Sequence, residues 1–244
     1  MLNQEMLNKL KHMKMTGLVE ALEQQEQDPG YEELGFHERL NLLVDWEYSK
    51  RQHNRLQLLI NQAKFQNPDA CVEDINYAID RKLDRNQILE LASCNYVPHG
   101  QNVVIVGATG AGKSYIAQAL GQAACRRLIP TKYIQLPDLL EELKIAKNKG
   151  PEIFTRLRKQ YVKCGLLIID EWLLFPISTE DTEILLSIFD RRRGVRPTIV
   201  VSQLEPAEWL DQIPIQLAAE SITDRLSTKA HRITIKGNKS MRSI

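Results

Sequence analysis

The chain's 244 residues suffice for one large domain, or a modest domain with a smaller companion. Apolar residues make up 43% and charged residues 26%, ordinary for a globular protein, and no apolar run nears the ~20 residues that cross a bilayer. A net charge of only +1 means that nucleic-acid binding would have to come from local basic patches, not from a whole-molecule field. Cys71, Cys94, Cys125 and Cys164 form no C-x-x-C pair and the five histidines are isolated, which argues against zinc or a disulfide framework and for buried, reduced thiols. The opening MLNQEMLNKLKHMKM lacks the apolar core and cleavage site of a secretory signal, so the expected compartment is cytoplasmic.

Up to about Lys64 the chain is leucine-rich, charged and nearly free of strand-like runs. Leu2, Met6, Leu10, Met13 and Gly17 share one helical stripe, followed by Leu18, Ala21 and Leu22, until Asp28-Pro29-Gly30 breaks the pattern. Between Phe36 and about Phe65 there is no Pro or Gly. Phe36, Leu40, Leu43 and Val44, then Leu56, Leu59, Ile60 and Ala63, recur there at helical spacing, separated by the polar residues 50–55. These features predict a small all-α domain over 1–66. Asn67-Pro68-Asp69 opens an expected linker over 67–83, with short helical patterns at 69–80 and, N-capped by Asp84, at 84–92.

Beyond Asn102 the pattern alternates. Apolar, β-branched runs at 103–106, 133–136, 166–169, 198–201 and 232–235 suit strands buried on both faces. Helical patterns separate them at about 113–127, 138–163 (broken at Gly150-Pro151), 179–193 and 214–228. The fold class is therefore α/β: a parallel sheet with helices on both faces, over residues 84–244.

The first strand runs into Gly107-Ala108-Thr109-Gly110-Ala111-Gly112-Lys113-Ser114, which fits G-x-x-x-x-G-K-[ST] between a strand and a helix. Glycines let the backbone fold so that successive N–H groups face a phosphate, and the following helix presents its own unpaired N–H groups to the same anion. The expected nucleotide-binding stretch runs from Gly107 through Tyr115; Lys113 reaches the β- and γ-phosphates, and the Ser114 hydroxyl ligates Mg²⁺. ATP and Mg²⁺ are the expected cofactors. The third strand ends in Asp170-Glu171. Ligands of such sheets sit at the C-terminal strand ends, so Asp170 is the candidate for the Mg²⁺ shell and Glu171 for polarising an attacking water. Asn148-Lys149-Gly150-Pro151 lacks the Asp of a guanine-reading loop. Arg191-Arg192-Arg193 suits either a kinase-like phosphate lid or, preferably, a solvated helix end.

The strings VVIVGATGAGKS, LLIIDEWLLFP, TIVVSQ, ITDRLSTKAHRITIKG and NKSMR resemble those of AAA+ ATPases, specifically the DnaC-like branch that includes the IstB transposition helpers. GFHERLNLLVDWEYSKRQHNRL is similar to the helical front end of IstB proteins, so the resemblance spans nearly the whole chain. It implies that Gln203, where family members more often carry Asn, orients the attacking water, a role Ser202 could share. It also implies that Arg225, in Thr223-Asp224-Arg225-Leu226, reaches the nucleotide of a neighbouring subunit. The alternative for Arg225 is an ion pair with Asp224 or another acid. Only a short tail follows the last strand, too short for the helical lid of many AAA+ proteins, which implies strong dependence on a neighbour.

Two basic clusters are candidates for DNA contact: Lys144, Lys147, Lys149, Arg156, Arg158, Lys159 and Lys163, and the run Lys229, Arg232, Lys236, Lys239 and Arg242. From charge alone both read preferably as solvated helix faces, and the resemblance shifts the balance to DNA. Trp46 and Tyr48 beside Lys50, Arg51 and Arg55 suit either a structural bundle or contact with DNA or a partner. The resemblance implies an ATP-dependent helper that forms a helical or ring-like homo-oligomer on double-stranded DNA and recruits a transposase, with no membrane partner. A replicative helicase loader and a small-molecule kinase are the rival readings.

Overall fold

The structure, a computed structural model, describes residues 3–77 and 82–236, which divide into two units at Leu58 and Leu59.

In the first unit, α1 (Gln4–His12) is N-capped by the Asn3 side chain, which accepts from the N–H groups of Glu5 and Met6. The stripe expected to be continuous breaks at residues 13–15, where Lys14 adopts φ 58°, and α2 (Thr16–Gln27) begins afresh. Asp28 caps the single turn Pro29–Tyr31. α3 (Phe36–Ala63) then runs unbroken, as the absence of Pro and Gly predicts. Gly17 is required by packing: a Cβ there would lie 2.9 Å from Glu47 Oε2 and 3.0 Å from Glu47 Cα. That approach lets buried Glu47 accept from the Leu18 N–H at 3.0 Å while it pairs with Arg51. Of the expected α3 stripe, Leu43 is buried but Phe36, Leu40 and Val44 are exposed, as are Trp46 and Tyr48.

In the second unit, α4 (Arg85–Ala92) starts at the Asp84 cap. There follow β1 (Val103–Gly107), α5 (Lys113–Arg126), β2 (Thr131–Gln135), α6 (Leu136–Lys149), α7 (Pro151–Lys163), β3 (Leu166–Asp170), α8 (Thr179–Arg192), β4 (Thr198–Ser202), α9 (Gln216–Ser227) and β5 (His231–Ile235). The five strands pair in parallel in the order β2-β3-β4-β1-β5. β2 begins and ends earlier than the pattern predicts, with Leu136 already the first residue of α6. Alternate strand residues face opposite layers: Ile105, Ile168 and Val201 pack towards α5, and Val106, Ile169 and Val200 towards α6, α8 and α9. Asn102 ties the layers together, accepting from Thr198 N–H at 2.8 Å and donating to the Arg225 carbonyl at 2.7 Å.

The helix expected at 69–80 does not form over its described part: residues 69–77 make turns. Ala70, Val72 and Ile75 are nonetheless buried in the α5-side core. Residues 65–77 form a strap along α5. Phe65 fills a notch at Gly121, where a Cβ would come within 2.6 Å of its ring. Two buried glutamines on α5 hold the next residues: Gln118 accepts from Asn67 N–H at 2.6 Å, and Gln122 donates to the Pro68 carbonyl. Buried polar side chains of α5 thus pair the backbone just ahead of the segment expected to be helical. Among the described residues, no helix is long and apolar enough to cross a membrane.

Candidate functional site

A cleft of about 470 Å³ opens at the C-terminal ends of β1, β3 and β4. Its wall is built first by the glycine-rich loop. Gly107 closes β1 where a Cβ would meet the Ile235 carbonyl oxygen at 2.7 Å. Gly110 and Gly112 adopt φ of 77° and 89°, a region that side chains strongly disfavour. Gly112 is the N-cap of α5 and no side chain caps that helix, so its first N–H groups and positive dipole end face the cleft. Thr109, Gly110, Gly112, Lys113, Ser114 and Tyr115 line the space. Lys113 is buried, and its ammonium donates to the Ala108 carbonyl at 2.8 Å. The Tyr115 hydroxyl points to the strap, bonding the Cys71 backbone on both its N–H (3.2 Å) and carbonyl (3.3 Å) sides.

Across the cleft stands the acidic pair. Asp170 is 3% exposed, yet both carboxylate oxygens have donors: the Glu171 N–H to Oδ1 and the Tyr133 hydroxyl to Oδ2, each at 2.8 Å. Glu171 and Leu173 take left-handed φ of 52° and 51°, strained for non-glycine residues. The turn is held by the Trp172 N–H, which donates to the Val201 carbonyl at 2.8 Å, and by Trp172 packing edge-on against Trp209 and Phe189. Burial raises the Glu171 carboxyl above the usual carboxylate range, and the charges of Asp170 and Asp138 raise it further.

Gln203, just past β4, accepts from the Thr109 hydroxyl at 2.7 Å and so bridges the phosphate loop to the neighbouring strand end. Ser202 is buried and its single hydroxyl hydrogen goes to the Trp172 carbonyl at 2.9 Å, which leaves it to support the acidic turn and not to orient a water. Lys113, Ser114, Asp170, Glu171 and Gln203 therefore meet in one cleft. Arg225 does not line it. Its guanidinium pairs with Asp190 at 2.6 Å and donates to the Ser221 carbonyl at 2.8 Å, while Asp224 pairs with Arg193 at 3.4 Å.

The basic clusters resolve unevenly. Lys144 and Lys147 are ion-paired to Asp181 (3.0 Å) and Glu180 (2.7 Å) of α8, and Arg158 sits 5.2 Å over the Phe154 ring. Lys149, Arg156, Lys159 and Lys163 are exposed. In the second run Arg232 pairs with Glu205, Lys229 and Lys236 are exposed, and Lys239 and Arg242 lie outside the described residues. The preference for a solvated helix end at 191–193 fails for Arg192. It is 2% exposed and donates to the carbonyls of Tyr161 (2.7 Å) and Cys164 (3.0 Å) and to the Thr198 hydroxyl (3.1 Å). The negative C-terminal end of α7 explains why an arginine is tolerated there.

Two contributors escape sequence reasoning. Asp74, Ile75 and Asn76 of the strap form the cleft's remaining wall, and Tyr133 reaches Asp170 from β2. The clue to Tyr133 is a tyrosine at a buried position of β2, which gains meaning only once β2 is known to lie beside β3.

A glycine-rich phosphate loop after β1, an acidic pair after β3 and the strand order 2-3-4-1-5 define an AAA+ P-loop ATPase fold. The crystal structure of the DnaC helicase loader superposes with a TM-score of 0.59 at 17% identity, covering 69% of this chain and 97% of that one. The chain belongs to the IstB-like ATP binding protein family, whose profile matches residues 8–243. It is 39% identical over 204 residues to an ATP-binding protein of insertion sequence IS1162 from Pseudomonas fluorescens, covering 84% of this chain and 87% of that one. It is 36% identical over 244 residues to the insertion-sequence ATP-binding protein y4uH of Sinorhizobium fredii, covering 100% and 97%.

Proposed function

We propose that the chain is the ATP-driven helper of an insertion sequence. It would bind and hydrolyse ATP with Mg²⁺ in the cleft, oligomerise on duplex DNA and recruit or stimulate a transposase, with hydrolysis ending the assembly. The observation that carries this reading is the meeting of Lys113, Ser114, Asp170, Glu171 and Gln203 in one cleft at the mouth of a glycine-rich loop.

In this reading the loop N–H groups and Lys113 hold the triphosphate, Lys113 leaving the Ala108 carbonyl that it bonds in the free chain. The residues suit Mg²⁺: one fixed carboxylate (Asp170) and one hydroxyl (Ser114) leave the other positions to water and phosphate oxygens. Among the described residues no group of three or more His, Cys, Asp or Glu forms a dedicated metal cage, as such a nucleotide-linked site needs none. Mg²⁺ held there neutralises charge on the phosphates. Glu171, made more basic by burial, accepts a proton from the attacking water, and Gln203 steadies that water against Thr109. Arg225 serves a neighbouring subunit's phosphoryl group, which requires release from Asp190.

DNA binding would draw on the exposed Lys149, Arg156, Lys159 and Lys163 and gain strength from repetition along an oligomer. Phe175, 70% exposed in the loop after Glu171, supplies an apolar contact for a neighbour beside the site. The insertion-sequence relatives favour a transposition helper over a helicase loader, since the DnaC likeness shows the fold alone.

Sedimentation with linear duplex DNA tests the proposal. Large complexes should form with ATP, dissolve as it is consumed and be absent with ADP. Binding that ignores the nucleotide, or that prefers single strands, would contradict it.

A further inference from the structure

We infer that Tyr133 is the positioning residue that sets the orientation of the Asp170 carboxylate for its cation. The inference rests on the metal assignment of Asp170 proposed above. Tyr133 is buried on β2, and its ring packs 6.3 Å from that of Phe65 in the α5-side core. A phenylalanine would fill that space equally well. The hydroxyl is therefore the informative atom, since burying it unpaired would cost free energy. It is spent on Asp170, the one buried carboxylate among the described residues that line the cleft.

The geometry explains why two donors are needed. The Glu171 N–H holds Oδ1 and the Tyr133 hydroxyl holds Oδ2, so rotation of the carboxylate about its own bond breaks both contacts. Each oxygen keeps a further lone pair for the cleft. The Glu171 N–H alone would leave the group hinged on one oxygen, and that N–H comes from a strained turn. Tyr133 stands instead on a regular strand, paired in register beside β3.

The Gln66 amide lies 3.3 Å from the same hydroxyl. The facing atom is Gln66 Oε1, an acceptor, so the one phenolic hydrogen has two acceptors within reach, and the Asp170 contact at 2.8 Å is the shorter. Gln66 stands three residues past the end of α3, so the strap and the cation ligand meet at one hydroxyl.

The test uses the full chain and a fluorescent, non-hydrolysable ATP analogue, titrated in EDTA and again in excess Mg²⁺. The ratio of the two affinities isolates the metal's contribution from that of the phosphate loop. Tyr133→Phe should leave the EDTA affinity unchanged and shrink the Mg²⁺-dependent gain by about tenfold, the usual size of a lost outer hydrogen bond to a metal ligand. The half-saturating Mg²⁺ for hydrolysis should rise in parallel. Asp170→Asn should abolish the gain. A gain kept in Tyr133→Phe but lost in Asp170→Asn overturns this inference alone. A gain kept in Asp170→Asn overturns the metal assignment and this inference with it. A loss of EDTA affinity in Tyr133→Phe would mark Tyr133 as a packing residue and overturn the positioning role.

Discussion

Arg225 of α9 is bound within its own chain to Asp190 of α8, 2.6 Å from guanidinium to carboxylate, while only 19% of the arginine side chain is exposed. The arginine that the family resemblance assigns to a neighbour's phosphates is thus held on the subunit's own surface by a half-exposed acid. Arg225→Ala should slow hydrolysis steeply, within the ~10³–10⁵ range of arginines that act in trans, without weakening ATP binding. Mixing it with Glu171→Gln should restore part of the activity, because intact sites form where a sound Arg225 faces a sound Glu171. Steady-state rates across mixing ratios measure this; a strictly additive, inactive mixture contradicts delivery in trans.

Glu171 gives the site a pH signature. Its carboxyl titrates above the usual range through burial and the charges of Asp170 and Asp138, and only the ionised form accepts a proton. Hydrolysis should therefore decline on the acid side at a higher pH than an ordinary carboxylate would give. Stability has the opposite sign. The folded-state pKa exceeds the unfolded one, so the folded state binds more protons, and stability due to Glu171 falls as pH rises from the unfolded towards the folded value. Thermal melts of Glu171→Gln across that window should lose this slope. An identical slope would remove Glu171 as its source.

The basic clusters separate into paired and unpaired cations, and salt titrations should detect the difference. Lys149→Ala, Arg156→Ala and Lys159→Ala should each weaken duplex binding and lower the slope of log affinity against log salt by about 0.9 per lost phosphate contact. Lys144→Ala and Lys147→Ala, whose charges already face Asp181 and Glu180, should change that slope less. Equal effects at all five positions would place the DNA path elsewhere.

The strap should answer to packing at Gly121. Helix propensity alone favours alanine by about 1 kcal/mol, but a Cβ would press on Phe65 at 2.6 Å and on Ile168 at 2.7 Å, and such overpacking costs ~1–3 kcal/mol. Gly121→Ala should melt lower, and adding Phe65→Leu should recover part of the loss. A stabilised single variant would show that Phe65 is held loosely.

The middle of the sheet was legible because β1, β3 and β4 are continuous apolar runs buried on both faces, for which few other structures compete. The phosphate loop and acidic pair were legible because their spacing and their place at strand ends are local properties. What escaped is non-local. Residues 69–77 carry a helix-like pattern, yet they make turns, with the Cys71 backbone bound by Tyr115 and the preceding Asn67 and Pro68 held by Gln118 and Gln122. Arg192 looks like one cation of three until α7 brings its carbonyls to it. Tyr133 gains its partner only through strand order, and the Asp190 contact of Arg225 only through helix packing. Lys14 ends α1 with no glycine or proline to signal the break.

Everything proposed for this chain requires one triphosphate to meet the loop, the lysine and the acidic pair at once. A crystal structure with Mg²⁺ and a non-hydrolysable ATP analogue measures that directly. The account predicts phosphates cradled by the N–H groups of residues 107–114, Lys113 turned from Ala108 onto them, and the cation between Ser114 and Asp170. A triphosphate bound elsewhere, with the Lys113 ammonium still on the Ala108 carbonyl, would contradict it.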